Sequence, residues 1–546
     1  PLLQRWYSLT GGGDPYPLYV ASNLGSFSGL IFYPLVLEPL TGVAWQSQLW
    51  TVGYAVMALC IVWCSLSLAP LRTVAAAAPS APVTFERRQV ALWVVLAAIP
   101  SGLMLSTTLH LTTDVAPMPL LWVIPLGLYL LSFSAGFSEK RGLARLCMAI
   151  APFTLLLTAA CLFVTAPAWV PAIMLVALLN LFVVSVALHA MLFERRPEPA
   201  GLTGFYLALA AGGALGGLFC ALIAPLLFNW TFEHPLLLIA AAAALGGMQH
   251  LPTARQLMSA ASARKRLAMF LLLMFSLAML VQQLDGERSR ALAVFAMILL
   301  ISLAAMLALG SRALFASAIL CLLLAVGGAE KLGLALSDGR LVRSYFGVYT
   351  VQENAGKALL IHGTTVHGVQ LKGTAEREGQ TTAYYTPTSG VGQAMALVPS
   401  IYGPAARVSV VGLGTGTLSC YSTPQQRWTF YEIDPAVVDI ARGSGRFTFL
   451  QRCKPDAEMV LGDARLRLGE RPAGSSDVLV VDAFSSDAIP MHLLTREAFR
   501  SYGRYLGKDG LLLVHISNRY LELEPVVAAA ARSTGWHAIV AHDVVK

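Results

Sequence analysis

The sequence predicts a multi-span α-helical membrane domain, then a small antiparallel β-sheet, then an α/β domain built on a parallel sheet. Three observations carry that reading. Of 546 residues, 56% are hydrophobic and 12% are charged, against roughly 25% charged in average chains. The charge is unevenly placed: residues 1–328 hold 16 Lys/Arg and 10 Asp/Glu, and the remaining 218 hold 22 and 20. Past that boundary the long apolar runs give way to short ones that alternate as strands and helices. A soluble globular chain throughout is excluded, because so hydrophobic a first half has too few polar residues to cover itself in water.

Apolar runs of about 18–25 residues match a hydrocarbon core of about 30 Å at about 1.5 Å per helical residue. They lie near 17–37, 47–70, 90–111, 117–137, 146–164, 168–192, 202–228, 234–250, 267–284, 291–309 and 313–329. These about eleven spans set the membrane domain at residues 1–329. Basic loops fall at Arg72/Arg87/Arg88, Lys140/Arg141/Arg145, Arg195/Arg196, Arg255/Arg264/Lys265/Arg266 and Arg312. Loops 112–116, 165–167 and 229–233 carry almost no positive charge, so the basic set is expected in the cytoplasm. The last span, entered from the Arg312 side, would then deliver the C-terminal domain to the opposite face unless one span is re-entrant. The net charge of +8 lies mostly in those loops, which reads as orientation beside a bilayer and not as a nucleic-acid surface. The chain opens at Pro1 without an initiator Met, and its first apolar run is too long for a signal peptide, which points to a trimmed or processed start.

Eight cysteines, at 60, 64, 147, 161, 220, 321, 420 and 453, show neither disulfide nor metal spacing and read as small apolar fillers. Gly212, Gly213, Gly216 and Gly217 form two overlapping small-xxx-small pairs, which suit close helix packing. His110 with Asp114, His189, Asn180 and Asn23 are polar groups at membrane depth and so candidates for a substrate or proton path.

From Arg340 the pattern turns to short strands over 344–351, 357–362 and 368–372, which predict a small antiparallel sheet at 340–375. Within 376–546 a βα alternation follows: strand 407–412, a glycine turn and a helix, strand 428–433, helix 435–442, then strands 458–462 and 477–483. Helix 495–506, strand 510–517, helix 524–534 and strand 537–541 complete it. Such spacing implies a parallel sheet flanked by helices.

The chemistry is concentrated at strand ends. Val411-Gly412-Leu413-Gly414-Thr415-Gly416-Thr417 takes a buried strand into a glycine turn, where backbone can approach a ligand and a helix start offers free N–H groups. It reads G-x-G-x-G and not the dinucleotide pattern G-x-G-x-x-G. Acids then end successive strands, at the edge where open α/β sheets bind ligands: Glu432 and Asp434, able to accept from a ribose diol, then Asp463 before Ala464, able to accept from an exocyclic amine, then Asp482 with Asp487 beyond. Any one of them could be a helix cap. Together they predict an adenosyl-ligand site.

These residues resemble the spermidine synthase family of aminopropyltransferases, and in particular its membrane-fused bacterial branch. The resemblance rests on the Gly412–Gly416 turn, Glu432-Ile433-Asp434-Pro435, Gly462-Asp463-Ala464, and Asp482 through Asp487 followed by His492-Leu493-Leu494-Thr495-Arg496-Glu497-Ala498-Phe499. It covers about 340–546 in its motifs, with a counterpart of the family's small N-terminal sheet at 362–370, and the hydrophobic half is similar to that branch's multi-span segment.

It implies a Rossmann-like domain that binds S-adenosylmethionine (SAM) or its decarboxylated form as substrate, with no metal. Gly412, Gly414, Gly416, Glu432, Asp434, Asp463 and Ala464 would hold the adenosyl group, and Gln370 the methionine part. Asp482 would be the catalytic base and Asp487 a second cation-holding acid. Tyr384 and Tyr385 would line the acceptor pocket. The implied reaction has an amine attack the methylene beside the sulfonium, releasing methylthioadenosine. Two departures stand out: four residues, not two, separate Asp482 from Asp487, and Tyr384-Tyr385-Thr386-Pro387 replaces the family's Tyr-His-Glu.

The expectation is therefore a membrane-bound transferase of the bacterial inner membrane. Its catalytic domain faces the cytosol where SAM is made, its partners are the bilayer and a small amine or none, and it can form a homodimer. The alternatives are a SAM lyase or cyclase that releases methylthioadenosine without an acceptor, a polyamine or metabolite carrier with a ligand-sensing domain, and an ordinary methyltransferase.

Overall fold

A computed structural model of the chain describes residues 2–9, 17–67, 85–115, 120–164, 166–198, 201–247, 260–281, 287–363, 365–484, 490–518 and 521–542. Arg72, Arg255 and Asp487 lie outside the described residues. The chain divides into two compact units. One comprises Pro1–Leu111, Leu120–Leu226 and Thr231–Leu332, and the other Thr112–Pro119, Leu227–Trp230 and Gly333–Lys546.

The first unit is helical. Among the described residues, eight helices are long and apolar enough to cross a membrane: Leu18–Leu40, Val43–Ser67, Arg87–Val115, Gly142–Cys161, Val170–Glu194, Leu202–Leu227, Arg288–Ala308 and Arg312–Leu336. Val123–Gly136 and Glu233–Leu245 are shorter apolar helices, and Ala261–Val281 carries Arg264, Lys265 and Arg266 in its first turns. Gly212 and Gly216 stand one turn apart, and a Cβ on them would meet the carbonyl oxygens of Val94 and Ala98 at 2.4 and 2.3 Å. Those two glycines let helix Leu202–Leu218 press on Arg87–His110, while Gly213 faces open space. Two of the polar candidates pair with other side chains inside this unit: His189 Nδ1 meets Ser132 Oγ at 3.0 Å, its ring stacks on Phe133 at 3.6 Å, and His110 stacks on His234 at 5.3 Å.

The second unit holds two sheets. β1 (Leu341–Arg343), β2 (Val348–Glu353), β3 (Lys357–His362) and β4 (Thr365–Leu371) form an antiparallel meander in sequence order. β5 (Arg407–Val411), β6 (Arg427–Glu432), β7 (Glu458–Leu461), β8 (Ser476–Val481) and β9 (Leu506–Val514) form a parallel sheet in the order β7-β6-β5-β8-β9. Their side chains alternate between two faces. Val408, Val410, Phe430, Val478 and Val480 share a core with Tyr349, Val351 and Leu360 of the meander. Val411, Tyr431, Leu479 and Val481 pack instead against Leu468, Phe499, Tyr502 and Tyr505. Each fully buried Val, Leu or Phe contributes about 1.5–3 kcal/mol, and burial on both faces explains why these strands read as unbroken apolar runs.

Three expectations need correction. Residues 537–541 form no strand, and Ile539 is exposed; a short alternating run becomes a strand only when it joins a ladder, and β9, the edge strand of the parallel sheet, pairs with β8 and not with this run. The glycine turn leads into a five-residue 3₁₀ turn, Thr417–Tyr421, and not into an α-helix. Finally, Cys420 and Cys453 are not fillers: they form a disulfide across a sequence separation of 33. Spacing could not reveal that bond, because the 3₁₀ turn and helix Phe449–Cys453 become neighbours only on folding. Cys147, Cys220 and Cys321 are buried in the first unit, where the filler reading suits them.

Candidate active site

The parallel sheet lines up five strand ends in space. In sheet order they carry Asp463 after β7, Glu432 closing β6, the glycine turn after β5, Asp482 after β8 and His515 after β9. This is the edge at which open α/β sheets take ligands.

The turn depends on its glycines. Gly412, Gly414 and Gly416 have φ of +95°, +53° and +82°, a region that side-chain-bearing residues rarely adopt. A Cβ on Gly412 would lie 2.1 Å from the Asp482 carbonyl oxygen, so the turn lies directly against the end of β8. From β4, Gly368 lets the meander approach Thr415 equally closely.

Glu432 is buried and braces the turn: its Oε2 accepts from the Leu413 N–H at 2.9 Å and its Oε1 from the Asp434 N–H at 3.0 Å. Burial raises its pKa, against the lowering effect of those N–H groups. A carboxylate has about four acceptor positions, so each oxygen keeps capacity to accept from a diol.

Asp434 is placed differently. Its Oδ1 caps the following helix at the Ala436 N–H, 2.9 Å away, while its Oδ2 accepts from Tyr349 at 2.8 Å and from Ser344. It thus ties the meander to the end of β6. Asp463 caps helix Ala464–Glu470 through Leu466 N–H at 3.1 Å, and its other oxygen lies 3.0 Å from His492 Nε2. Ala464 is buried behind it. Gln370 on β4 is fully buried; its amide donates to Glu378 and Thr448 and accepts from the Thr448 N–H.

Asp482 anchors the densest cluster. One oxygen meets His515 Nδ1 at 2.7 Å and the other accepts from the Tyr385 hydroxyl. Burial opposes its charge, but the hydrogen bond and charge of His515, with the Tyr385 hydroxyl, outweigh burial and hold its pKa below the ordinary value. Burial likewise works to lower His515, and Asp482 reverses this and raises it. Burial and then the Asp482 charge push Tyr384 and Tyr385 upward, so both remain neutral. The tyrosines sit on a 3₁₀ turn opened by Ala383, whose φ of +55° is unusual for a residue with a Cβ. The Tyr421 hydroxyl donates to the Tyr385 carbonyl at 2.6 Å and holds that turn in place.

The structure therefore gathers Asp482, Tyr384 and Tyr385 with the glycine turn and Glu432. It gives Asp434, Asp463 and Gln370 bonds within the protein. Asp487 lies outside the described residues. His515 escapes a search for acids alone, yet its signal is in the sequence: it ends the strand that pairs with β8, at the same edge as the acids. No group of three or more His, Cys, Asp or Glu suited to a metal occurs among the described residues.

No family model matches the chain. Over 116 residues, 20% of its length, the chain is 30% identical to a polyamine aminopropyltransferase of Vibrio vulnificus (strain CMCP6). The match spans 37% of that relative's own length. Among solved structures, the chain resembles a probable spermidine synthase from Corynebacterium glutamicum ATCC 13032, at 19% identity and a TM-score of 0.28, over 32% of this chain and 62% of that one. It also resembles the spermidine synthase of Thermotoga maritima, at 19% identity and a TM-score of 0.23, over 34% and 62%.

Proposed function

We propose that the second unit transfers an aminopropyl group from decarboxylated SAM to an amine and releases methylthioadenosine. The observation that carries this reading is Asp482, a charged carboxylate held by Tyr385 and His515 beside a glycine turn that Glu432 braces. Glu432 would accept from the ribose diol. The amine's lone pair attacks the methylene bonded to sulfur, the C–S electron pair stays on sulfur, and the surplus ammonium proton leaves towards the Asp482 cluster. A negative cluster also attracts the cationic acceptor.

The test is methylthioadenosine release by the purified full chain, given SAM or decarboxylated SAM, with and without putrescine or spermidine. Release is expected only from decarboxylated SAM with an amine. Release from SAM alone would replace this reading with a lyase or cyclase, and none from any donor would leave the carrier or sensor.

The first unit is proposed to span the bacterial inner membrane, with the second unit in the cytosol where its donor is made. A C-terminal green fluorescent protein fusion should then fluoresce and a C-terminal alkaline phosphatase fusion should stay inactive. The reverse pattern would put the second unit outside, in an oxidising compartment where the Cys420–Cys453 bond is the usual state.

A further inference from the structure

Asp482 is poorly placed to touch a substrate. Its side chain is only 4% exposed, with His515 and Tyr385 between its oxygens and the surface. His515 is the more open partner, with 24% of its side chain exposed. Its Nδ1 faces Asp482, and among the described residues no hydrogen bond reaches its Nε2. An ionised carboxylate only accepts, so the neutral imidazole must carry its proton on Nδ1 and leave its lone pair on Nε2. Tyr384 and Phe484 each hold the ring at a centroid distance of 5.0 Å and fix its plane.

Resting on the aminopropyl-transfer reading, we infer that His515 is the general base of this site and that Asp482 is its positioning carboxylate. As the acceptor nitrogen bonds to the donor's methylene, the C–S pair goes to sulfur and the proton shed by nitrogen passes to His515 Nε2. The imidazolium formed is stabilised by Asp482 across the Nδ1 bond, and the proton later leaves to water. The division of roles follows from order and exposure: the buried acid orients, and the exposed ring reaches out.

The groups around the imidazole are Asp482 from the end of β8, Tyr384 and Tyr385 from the 3₁₀ turn, and His367 of β4, a lesser contributor to the lowering of the Asp482 pKa. Both tyrosines stay neutral, so Asp482 dominates and raises the His515 pKa. The active form is neutral. Turnover should therefore rise with pH through a value above about 6.5, the ordinary histidine value, and then level off.

The decisive variants are His515→Gln and His515→Ala in the full chain. His515→Gln should lower kcat by roughly 10²- to 10⁴-fold, erase the acid limb of the pH profile, and leave methylthioadenosine affinity within about twofold. Imidazole added to His515→Ala should restore part of the turnover. A ¹⁵N NMR measurement of the labelled histidines should show His515 protonated at Nδ1, with that preference lost in Asp482→Asn. Wild-type turnover matched by His515→Gln, with the same pH profile, would overturn the base role alone. A wild type that releases no methylthioadenosine would overturn the aminopropyl reading and the base role together, and protonation at Nε2 would overturn the pairing whatever the activity.

Discussion

Asp482→Asn should cut turnover by roughly 10²- to 10⁴-fold while leaving methylthioadenosine affinity within about twofold. The substitution is nearly isosteric, so the packing around β8 has no reason to change. What changes is charge and hydrogen-bond polarity. The carboxylate accepts from both His515 and Tyr385, whereas an amide turned to satisfy one of them presents a donor to the other or a neutral oxygen to both. The imidazole loses the charge that fixes its tautomer and stabilises its cation. The check is kcat under saturating donor and amine, beside calorimetric titration with methylthioadenosine. Activity within tenfold of wild type would remove Asp482 from the mechanism. Glu432→Ala is the complement within the same experiment: it should weaken nucleoside binding before it affects the chemical step, because Glu432 holds the turn through Leu413 and not the cluster at β8.

Gly412→Val should destabilise the second unit by about 3–5 kcal/mol and abolish turnover with it. Two costs add. At a φ of +95° a β-branched residue is strained, and its Cβ would lie 2.1 Å from the Asp482 carbonyl oxygen, a backbone atom that cannot swing aside. Relief requires the turn and the end of β8 to separate, which moves Asp482 from Tyr385 and His515. Gly445→Ala isolates the first cost: its φ is +67° but nothing lies within 4 Å of a Cβ there, so about 1 kcal/mol is expected. Thermal unfolding followed for the second unit, with methylthioadenosine affinity measured below the transition, decides the matter. A Gly412→Val chain that unfolds with Gly445→Ala would show that the turn does not lie against β8 as described.

Much of this architecture is legible in local sequence because its causes are local. The long apolar runs become helices, since a helix bonds its backbone groups within the segment and leaves none to be satisfied by partners elsewhere. The βα alternation from Arg407 to Ser533 follows from period and length, and the strand-end acids Glu432, Asp463 and Asp482 are legible because strand ends mark a ligand edge in any parallel sheet. The roles of individual acids are less legible. Asp434 and Glu432 stand two residues apart on one strand end, yet Asp434 turns to Tyr349 and Ser344, 85 and 90 residues earlier, while Glu432 turns to the glycine turn. No local pattern separates them, because the meander's position decides which carboxylate it covers.

The sequence by itself determined a helical first half, an α/β second half, a glycine turn and a row of acids at strand ends, because hydrophobic period, backbone freedom at glycine and strand length act over a few residues. Only the tertiary structure decided which groups meet. It brought Tyr385 to Asp482 across 97 residues and His515 to it across 33, joined Cys420 to Cys453, and left residues 537–541 without a strand partner. The physical reason is common to all of these: a hydrogen bond, a disulfide or a ladder pairing needs two partners, and the distance between them is set by strand order and packing, which no single segment carries.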